Sequence, residues 1–409
     1  MITVIDSPCG AGKTQKMIEM MNTNNDNHYI YVTPFLSEVK RIRLHCTNIA
    51  FYEPKNNGKG AKGADLKRLL KKGFNVVTTH ALFKAGDKNL IEILETQNYI
   101  LILDEVMDVV EVLDELCSID IKLMASNNII TIDETTKQAT WNEFYPANGI
   151  FNSVKHYFKN NSVFIYNNSA MLWTFPIKLF NCFKHVYICT YMFDAQIQKY
   201  YYDLYNAKYE LLSISNNEFI PYKKETMNTD NLIIYEDNKS NLNDIGENKY
   251  ALSKNWYTVR KYSTKQEEIA EYNQIKSNLT NFFTNKVKAT SDDLIWTVFK
   301  GFEDDLGRKG YKKGFIPSNL RGTNEYINRH YVAYPINKFL NPTISNFFKD
   351  RGIEVDENAY ALSEMVQFIW RSAIRVNRDT TVYVPSKRMR TLLKMYKEYG
   401  FIYSKDMQF

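Results

Sequence analysis

The sequence predicts an α/β fold of two lobes, each with a parallel sheet flanked by helices. In the first half of the 409 residues, short apolar strands alternate with helical stretches, which is the pattern of a parallel sheet. A second run of strands begins near residue 232, and a chain of this length ordinarily exceeds a single hydrophobic core. We therefore expect lobe 1 at residues 1–222 and lobe 2 at residues 223–409.

Apolar segments predict five strands in lobe 1 and four in lobe 2. They are Ile2–Ile5, Tyr29–Thr33, Asn75–Thr78, Ile100–Leu103, Val186–Cys189, Leu232–Tyr235, Leu294–Val298, Tyr331–Tyr334 and Thr381–Val384. Helices are predicted at Glu267–Phe283 and Ala361–Arg375, and the polar stretch Ser213–Asp230 is predicted to be the hinge. Candidate functional residues directly follow four of the lobe 1 strands. In open α/β sheets, ligands bind at this edge, outside the carboxyl ends of the strands.

Composition and charge restrict the class of protein. The net charge of +6 suits a polyanionic partner without requiring one. Five scattered cysteines do not form the pattern of a disulfide framework, and no apolar run approaches the roughly 18 residues that cross a bilayer. The chain begins directly with a predicted strand and shows no signal peptide. We expect a cytoplasmic protein, in the host cytoplasm if it is viral, with no membrane partner.

The segment Ser7–Thr14, Ser-Pro-Cys-Gly-Ala-Gly-Lys-Thr, lies between a predicted strand and a predicted helix. Glycine lets the backbone approach phosphates closely, and the free N–H groups of a helix N-terminus bind them. Lys13 is expected to reach the β- and γ-phosphates, and Thr14 to place its hydroxyl on Mg²⁺. The alternative is a glycine turn that caps a helix by chance. The order of strand, loop and helix favours a nucleotide site formed by Ser7, Gly10, Ala11, Gly12, Lys13 and Thr14.

Two carboxylates, Asp104 and Glu105, end the apolar strand that begins at Leu101. Asp104 is expected to hold Mg²⁺ through water, and Glu105 to polarise the water that attacks the γ-phosphate. By itself such a pair also occurs at helix caps. Its distance along the chain from Ser7–Thr14 suits a neighbouring parallel strand. Together the two segments therefore predict a site that hydrolyses ATP with Mg²⁺.

Three polar residues lie far down the chain on the helix predicted at Ala361–Arg375. Gln367, Arg371 and Arg375 are four residues apart in turn, so they are expected to share one helix face. One interpretation is that Arg371 and Arg375 only form salt bridges at the surface. A nucleotide site in lobe 1 favours an arginine finger that stabilises the transferring phosphoryl group, with these three residues assigned to catalysis.

These motifs resemble those of the superfamily 2 helicases, specifically a DEAD-like branch seen in bacteriophages. The matching segments are Ser7–Thr14 (motif I), Thr33–Leu36 (Ia), Thr78–His80, Asp104–Met107 (II), Thr190–Phe193 (III), Trp296–Lys300 (IV), Arg321–Tyr326 (V) and Gln367–Arg375 (VI). The resemblance implies two RecA-like P-loop lobes that close on ATP. Trp370 stands where the family has glycine, and the last arginine of the motif falls one residue later. Whether Arg371 or Arg375 is the arginine finger is therefore left open.

Nucleic acid is expected to lie across both lobes and to be held mostly through its phosphates. The candidate contacts are Thr33, Pro34, Thr78, Thr79 and His80 in lobe 1, and Arg321, Thr323, Asn324, Lys387 and Arg388 in lobe 2. Each lobe 1 hydroxyl can instead cap or turn the chain after a strand. The basic segment that contains Lys387 and Arg388 can equally be an ordinary solvated helix start.

The sequence thus predicts a nucleic-acid-dependent ATPase that acts as a DNA helicase or translocase in phage DNA replication, recombination or repair. Its expected partner is single-stranded or forked DNA, with RNA left open. The oligomeric state is also left open, with a monomer preferred. One alternative is an ATP-driven origin-binding or remodelling switch without strand separation. Another is a packaging ATPase with a C-terminal nuclease, which would require converging acidic residues beyond the adjacent trio Glu303, Asp304 and Asp305.

Overall fold

In a computed structural model, residues 1–56, 62–146, 149–167, 169–236, 241–318 and 325–400 are described. They form two compact units. The first is built from Met1–Ser7, Ala11–Lys224 and Asn341–Val355; the second is built from Glu225–Leu340 and the chain from Asp356 onward, together with Pro8–Gly10. Both units contain a parallel sheet flanked by helices, so the predicted α/β fold class is confirmed.

The strands include all nine that the apolar segments predict, with ends that differ by two residues at most. In chain order they are β1 (Ile2–Asp6), β2 (Tyr29–Thr33), β3 (Phe51–Tyr52), β4 (Asn75–Thr79), β5 (Ile100–Asp104), β6 (Val110–Val112), β7 (Ile130–Ile132), β8 (Gln138–Trp141), β9 (Val163–Tyr166), β10 (Ala170–Thr174), β11 (His185–Thr190), β12 (Tyr209–Ser215), β13 (Glu218–Pro221), β14 (Leu232–Ile234), β15 (Leu294–Trp296), β16 (Tyr331–Ala333) and β17 (Thr380–Tyr383).

The α-helices cover the sheets and connect their strands. They are α1 (Lys13–Thr23), α2 (Leu36–His45), α3 (Lys62–Lys71), α4 (His80–Lys84), α5 (Lys88–Gln97), α6 (Ser118–Ser126), α7 (Ile177–Asn181), α8 (Ile197–Leu204), α9 (Lys254–Lys261), α10 (Gln266–Thr280), α11 (Glu303–Leu306), α12 (Pro342–Lys349), α13 (Glu357–Ile369) and α14 (Lys387–Tyr399). Helix α10 continues as a π-helical turn at Asn281–Lys286. Within the described ranges, no helix is both long enough and apolar enough to cross a bilayer.

The main sheet of the first unit has eight strands in the order β13-β12-β1-β11-β5-β2-β4-β3. Neighbouring strands are parallel except for β12 and β13. Residues alternate between the two apolar layers that cover the sheet, as Val4 and Ile5 show in β1. Since β11 lies between β1 and β5, the carboxyl ends of these three strands are adjacent at one edge. The predicted phosphate-binding segment Ser7–Thr14, called the phosphate loop below, follows β1, and Asp104 is the last residue of β5.

An inserted antiparallel sheet interrupts the first unit between β5 and β11. Its strands run in the order β6-β10-β9-β8-β7. Buried aromatic residues of this sheet, including Trp141 and Phe164, belong to the same apolar cluster as the strands of the main sheet. The sequence patterns did not predict this insertion.

Helix α12 belongs to the first unit although its sequence lies far beyond residue 224. Its Phe347 packs edge-to-face on Phe164 of the inserted sheet, with ring centroids 5.5 Å apart. The guanidinium of Arg351 lies 3.9 Å from the centre of the Phe347 ring and donates a 2.9 Å hydrogen bond to the Thr136 carbonyl. Aromatic packing and the arginine together fix the segment Asn341–Val355 on the inserted sheet.

The second unit has a four-stranded parallel sheet in the order β14-β17-β16-β15. Its core is rich in aromatic residues, among them Trp296, whose indole N–H donates to the Tyr311 carbonyl at 2.9 Å. This hydrogen bond satisfies a polar group that would otherwise be costly to bury.

One local prediction is right only in part, and another is wrong. The boundary between the two units, at Lys224 and Glu225, lies within the predicted hinge Ser213–Asp230, but the stretch begins within β12 and contains β13, which pairs antiparallel with it. The helix predicted to reach Arg375 ends at Ile369, where Trp370 is the C-cap. A separate 3₁₀ turn follows at Ala373–Val376. The polar composition of the first stretch concealed the edge strands of a hairpin.

Candidate nucleotide site

The phosphate loop connects β1 to α1 within Ser7–Thr14. Gly10 and Gly12 have φ angles of 93° and 92°, a backbone conformation that favours glycine. A Cβ atom added to either glycine would have no protein atom within 4 Å, so the space in front of this backbone is open. Gly12 is the N-cap of α1 and has no side chain with which to cap the first N–H groups. The loop therefore presents donors at a helix N-terminus, as anion binding requires.

Lys13 and Thr14 are the first two residues of α1, and their side chains turn toward the strand ends. The Lys13 ammonium donates a 2.5 Å hydrogen bond to the Ser7 carbonyl, across the loop. The Thr14 hydroxyl donates to Asp104 Oδ1 at 3.2 Å. The structure thus brings together the two segments that the sequence placed 90 residues apart.

Asp104 ends β5 and is buried. Burial, and then the neighbouring carboxylates of Glu105 and Glu38, raise its pKa to about 7, although the Tyr31 and Thr14 hydroxyls act in the opposite direction. The environment is therefore strongly negative and poorly hydrated. A divalent cation would be stabilised here, because it compensates carboxylates that burial and mutual repulsion destabilise.

Glu105 has a φ angle of 81°, in the left-handed region that residues other than glycine seldom adopt. Its backbone N–H donates to the Cys189 carbonyl of β11 at 2.8 Å, which helps to hold this conformation. The Oε2 atom is buried and, among the described residues, has no hydrogen-bond partner. Such strain and an unsatisfied buried oxygen are typical of functional positions.

The residues present fit a Mg²⁺ ion with a bound nucleotide. Thr14 and Asp104 provide a hydroxyl and a carboxylate in contact with each other, and hard oxygen ligands of this kind are what Mg²⁺ prefers. The next residue, Glu105, has a buried Oε2 atom with no hydrogen-bond partner in the described part of the chain. Thr14 and Asp104 would hold the ion, and when bound it would neutralise charge on the phosphates.

The raised pKa of Asp104 predicts a pH dependence of stability in the metal-free protein. The folded chain binds this proton more tightly than the unfolded chain, where the pKa is near the ordinary 3.8. The stabilising contribution is thus complete below 3.8 and is lost as the pH rises through about 7. We expect Asp104→Asn to remove this part of the decline in unfolding free energy, measured by denaturant titration with a chelator present. Parallel stability–pH curves for the two proteins would contradict the prediction.

The predicted nucleic-acid contacts of the first unit fall into two groups. Thr33 and Thr78, at the ends of β2 and β4, are buried, and within the described part of the chain their hydroxyls have no hydrogen-bond partner. Contact of these hydroxyls with a phosphate stays a prediction, and it would require the two side chains to become accessible. Pro34, Thr79 and His80 are half-buried at the same edge of the sheet and remain candidates.

The catalytic residues predicted in the second unit do not share a helix face. Gln367 lies in α13, whereas Arg371 follows its end and Arg375 lies in the 3₁₀ turn. Arg371 is buried, donates to the Ser318 carbonyl at 3.2 Å and lies over the Phe368 ring. Arg375 is half-buried. The prediction that the three residues share one helix face is wrong, because the helix ends between Gln367 and Arg371, with Trp370 as its C-cap.

Arg388 is an internal residue of the second unit. Its guanidinium donates to the side chains of Asn358 and Asn337 and to the backbone carbonyls of Lys338 and Glu357. With only 7% of its surface exposed, it is occupied in joining α14 to its neighbours, so the predicted phosphate contact does not fit. Lys387 is exposed and pairs with Glu247 at 2.9 Å. The predicted contacts Arg321, Thr323 and Asn324 lie outside the described residues.

Two buried carboxylates at this edge were not predicted. Asp6 ends β1 and accepts hydrogen bonds from the backbone N–H groups of Met192 and Phe193. Glu38 of α2 lies close enough to Asp104 to raise its pKa and pairs with Arg41 at 3.2 Å. An acidic residue that ends an apolar strand directly before the loop was a usable signal for Asp6. Glu38 had none, because a glutamate in a helix is ordinarily solvated.

Comparison with known proteins gives a full-length relative. The SPbeta prophage-derived uncharacterized protein YonV of Bacillus subtilis (strain 168) is 40% identical over 419 residues, which covers 97% of this chain and 98% of that protein. The family model of the YonV middle domain matches residues 110–173, and that of the YonV C-terminal Rossmann-like domain matches residues 225–397. The first match coincides with the inserted sheet, and the second covers most of the second unit together with the segment Asn341–Val355 of the first.

The solved structures that match this chain share little sequence with it. A structure titled XPD helicase is 10% identical with a TM-score of 0.46, covering 96% of this chain and 94% of that one. S. tokodaii Xpd4 is 8% identical with a TM-score of 0.48, covering 98% and 94%. The DUF1998 helicase MrfA bound to DNA and AMPPNP is 12% identical with a TM-score of 0.35, covering 98% of this chain and 48% of that one.

Proposed function

The chain belongs to the YonV family, and we propose that it is a nucleic-acid-dependent ATPase that acts as a DNA helicase or translocase. The observation that carries this proposal is the contact between the phosphate loop and the end of β5, where the Thr14 hydroxyl donates to Asp104 at 3.2 Å. A glycine turn that merely caps a helix does not explain a buried carboxylate and a strained glutamate directly opposite it.

The first unit supplies the groups that hydrolysis of ATP requires. Backbone N–H groups of the loop and the Lys13 ammonium would bind the phosphates. Thr14 and Asp104 would hold Mg²⁺, which would stabilise charge that develops on the transferring phosphoryl group. Glu105 would orient and polarise the attacking water through a carboxylate oxygen that has no protein partner among the described residues.

An arginine of the second unit is proposed to complete this chemistry. Arg371 and Arg375 supply guanidinium groups of the kind that stabilise a γ-phosphoryl transition state. The motif order that resembles superfamily 2 helicases supports this assignment. Gln367, four residues before Arg371, has a buried Nε2 atom with no hydrogen-bond partner within the described ranges, which supports a functional role for this segment. Single-stranded or forked DNA is the proposed partner, with the phosphates as the main contact.

Arg371→Ala is expected to lower kcat for ATP by about 10- to 100-fold, less than the full value of an arginine finger because Arg375 remains. ATP affinity should change much less, since the finger acts on charge that develops during transfer. Steady-state kinetics paired with equilibrium binding of a nucleotide analogue measure both quantities. Unchanged turnover in this variant, with a loss in Arg375→Ala, would move the finger to Arg375.

The rival function is an ATP-driven switch that loads or remodels partners on DNA without separating strands. Strand displacement on forked DNA, followed in parallel with ATP hydrolysis, distinguishes the two. A helicase gives displacement that requires hydrolysis. DNA-stimulated hydrolysis without displacement would contradict the helicase and leave the translocase or the switch.

The packaging ATPase with a nuclease lacks structural support in the described part of the second unit. The trio expected to contribute acidic ligands is otherwise engaged: Asp304 pairs with Lys312, Asp305 pairs with Lys261, and Glu303 accepts from the Gly301 N–H. Among the described residues, no group of three or more candidate ligands could hold a metal ion. Two-metal nuclease chemistry requires such a group.

A further inference from the structure

The loop that follows β11 lies between the two halves of the proposed nucleotide site. Strand β11 separates β1, which leads into the phosphate loop, from β5, which ends in Asp104. In this loop Met192 has φ 58° and ψ 52°, and Phe193 then begins a short 3₁₀ turn. A methionine in the left-handed region is unfavourable by itself, so neighbouring groups must hold the backbone there.

Asp6 is the group that holds this backbone. Its Oδ1 atom accepts a 2.8 Å hydrogen bond from the Met192 N–H, and its Oδ2 atom accepts a 3.0 Å hydrogen bond from the Phe193 N–H. The Tyr222 hydroxyl donates to Oδ2 at 3.4 Å. A carboxylate that is only 6% exposed thus binds two successive amides, a charge-assisted arrangement that fixes direction as well as distance.

The residue after Asp6 joins the same loop to Lys13. The Ser7 N–H donates to the Thr190 carbonyl at 3.1 Å, while the Ser7 carbonyl accepts from the Lys13 ammonium at 2.5 Å. Burial raises the pKa of Asp6, and the N–H groups of Phe193 and Met192 and the charge of Lys13 act against that rise. Lys13 therefore faces both the phosphate site and the carboxylate that holds the loop.

We propose that Asp6 is a positioning residue that couples the phosphate loop to residues 190–193. Phosphates held by Lys13 and by the N–H groups of the loop would fix the loop, and with it the end of β1 from which the loop begins. The two amides held by Asp6 would then open less often, because opening breaks contacts to a strand end that the ligand has stabilised. This coupling rests on the proposed ATPase function, since it begins with a phosphate ligand of Lys13.

Hydrogen exchange of the wild-type protein tests the coupling without any substitution. With a non-hydrolysable ATP analogue and Mg²⁺, the amides of Met192 and Phe193 should exchange at least about threefold more slowly. The amides of α1 report nucleotide binding independently. Slower exchange in α1 with no change at Met192 and Phe193 would overturn the coupling but not the nucleotide site. No change at either place would overturn both.

The substitution Asp6→Asn separates coupling from support of the fold. An amide of the same shape places an NH₂ group against a backbone N–H, so one hydrogen bond is lost and two donors face each other. We expect kcat to fall about 10-fold and the KM for ATP to stay within about threefold. In exchange measurements, α1 should still respond to the nucleotide, while Met192 and Phe193 should no longer respond.

Ser213→Ala is the matched control, because it removes a buried hydroxyl that donates to the Asp6 backbone carbonyl at 3.1 Å and leaves the carboxylate intact. This variant should keep the exchange response at Met192 and Phe193. An Asp6→Asn protein that keeps the same response would overturn the proposal. If that protein does not fold, Tyr222→Phe removes the longest contact of the carboxylate and should weaken the response, and an unaltered response would count against coupling.

Discussion

Replacing Lys13 by alanine is expected to reduce ATP turnover by at least about 1000-fold, because the phosphate loop loses the positive charge that acts on the β- and γ-phosphates. The ammonium already lies in the loop, 2.5 Å from the Ser7 carbonyl, so only a local movement is needed to reach a bound phosphate. Phosphate release at saturating ATP, with and without nucleic acid, measures the loss. Binding of the nucleotide should also weaken, since the same charge acts in the ground state.

Lys72→Ala is the control for this substitution, because Lys72 is an exposed lysine just beyond α3 in the same unit. It should leave turnover unchanged. Lys72→Ala should unfold at the wild-type denaturant concentration, whereas Lys13→Ala loses the hydrogen bond to the Ser7 carbonyl and should unfold at a slightly lower one. Turnover by Lys13→Ala that equals the control would show that Ser7–Thr14 is not the phosphate site.

Replacing Glu105 by glutamine is expected to lower the rate of ATP cleavage by roughly 1000-fold while ATP still binds, because an amide cannot polarise the attacking water as a carboxylate does. Glutamine has the same shape, so the left-handed backbone at this residue costs the same in both proteins. The variant should therefore accumulate with uncleaved ATP. Single-turnover cleavage together with retention of labelled ATP on the protein measures both effects.

Glu92→Gln is the matched control, since Glu92 is an exposed glutamate of α5 in the same unit. It should cleave ATP at the wild-type rate. If Glu105→Gln cleaves as fast as the control, the base lies elsewhere, and Glu38, the other carboxylate beside Asp104, becomes the candidate. Loss of ATP binding in Glu105→Gln would instead indicate a role in holding the nucleotide.

The parts of the fold that sequence could predict are those encoded locally. Strands such as β1 and β5 are short apolar runs that end in polar residues. Gly10 and Gly12 indicate the loop between β1 and α1. The contact of Thr14 with Asp104 follows once both strands are placed in one parallel sheet. These features gave the fold class and the core of the candidate site.

The features that the sequence did not predict depend mostly on contacts between residues far apart in the chain. The strands β6 and β7 of the inserted sheet are three residues long, too short for an alternating pattern to be distinguished from loop. Helix α12 belongs to the first unit through ring packing of Phe347, which no local signal encodes. The helix before Arg371 ends at Trp370 without a glycine or proline to mark the end.

Charged residues were hardest to assign, because their roles depend on burial. Arg388 is ordinary in sequence and joins α14 to its surroundings, and the position of Asp6 at a strand end does not indicate that its side chain holds the loop after β11. Thr33 is a polar example, since its hydroxyl at a strand end is fully buried and no local signal in the sequence indicates this. Solvent exposure separates these cases, and it is set by the completed fold.

The measurement that tests the central claim most directly is ATP hydrolysis by the wild-type protein with no nucleic acid and with single-stranded DNA, duplex DNA, forked DNA or RNA. The proposed function predicts hydrolysis that Mg²⁺ supports and that at least one nucleic acid, with single-stranded or forked DNA expected to be the strongest, accelerates. Absence of hydrolysis with every nucleic acid, in folded protein with Lys13 intact, would contradict it.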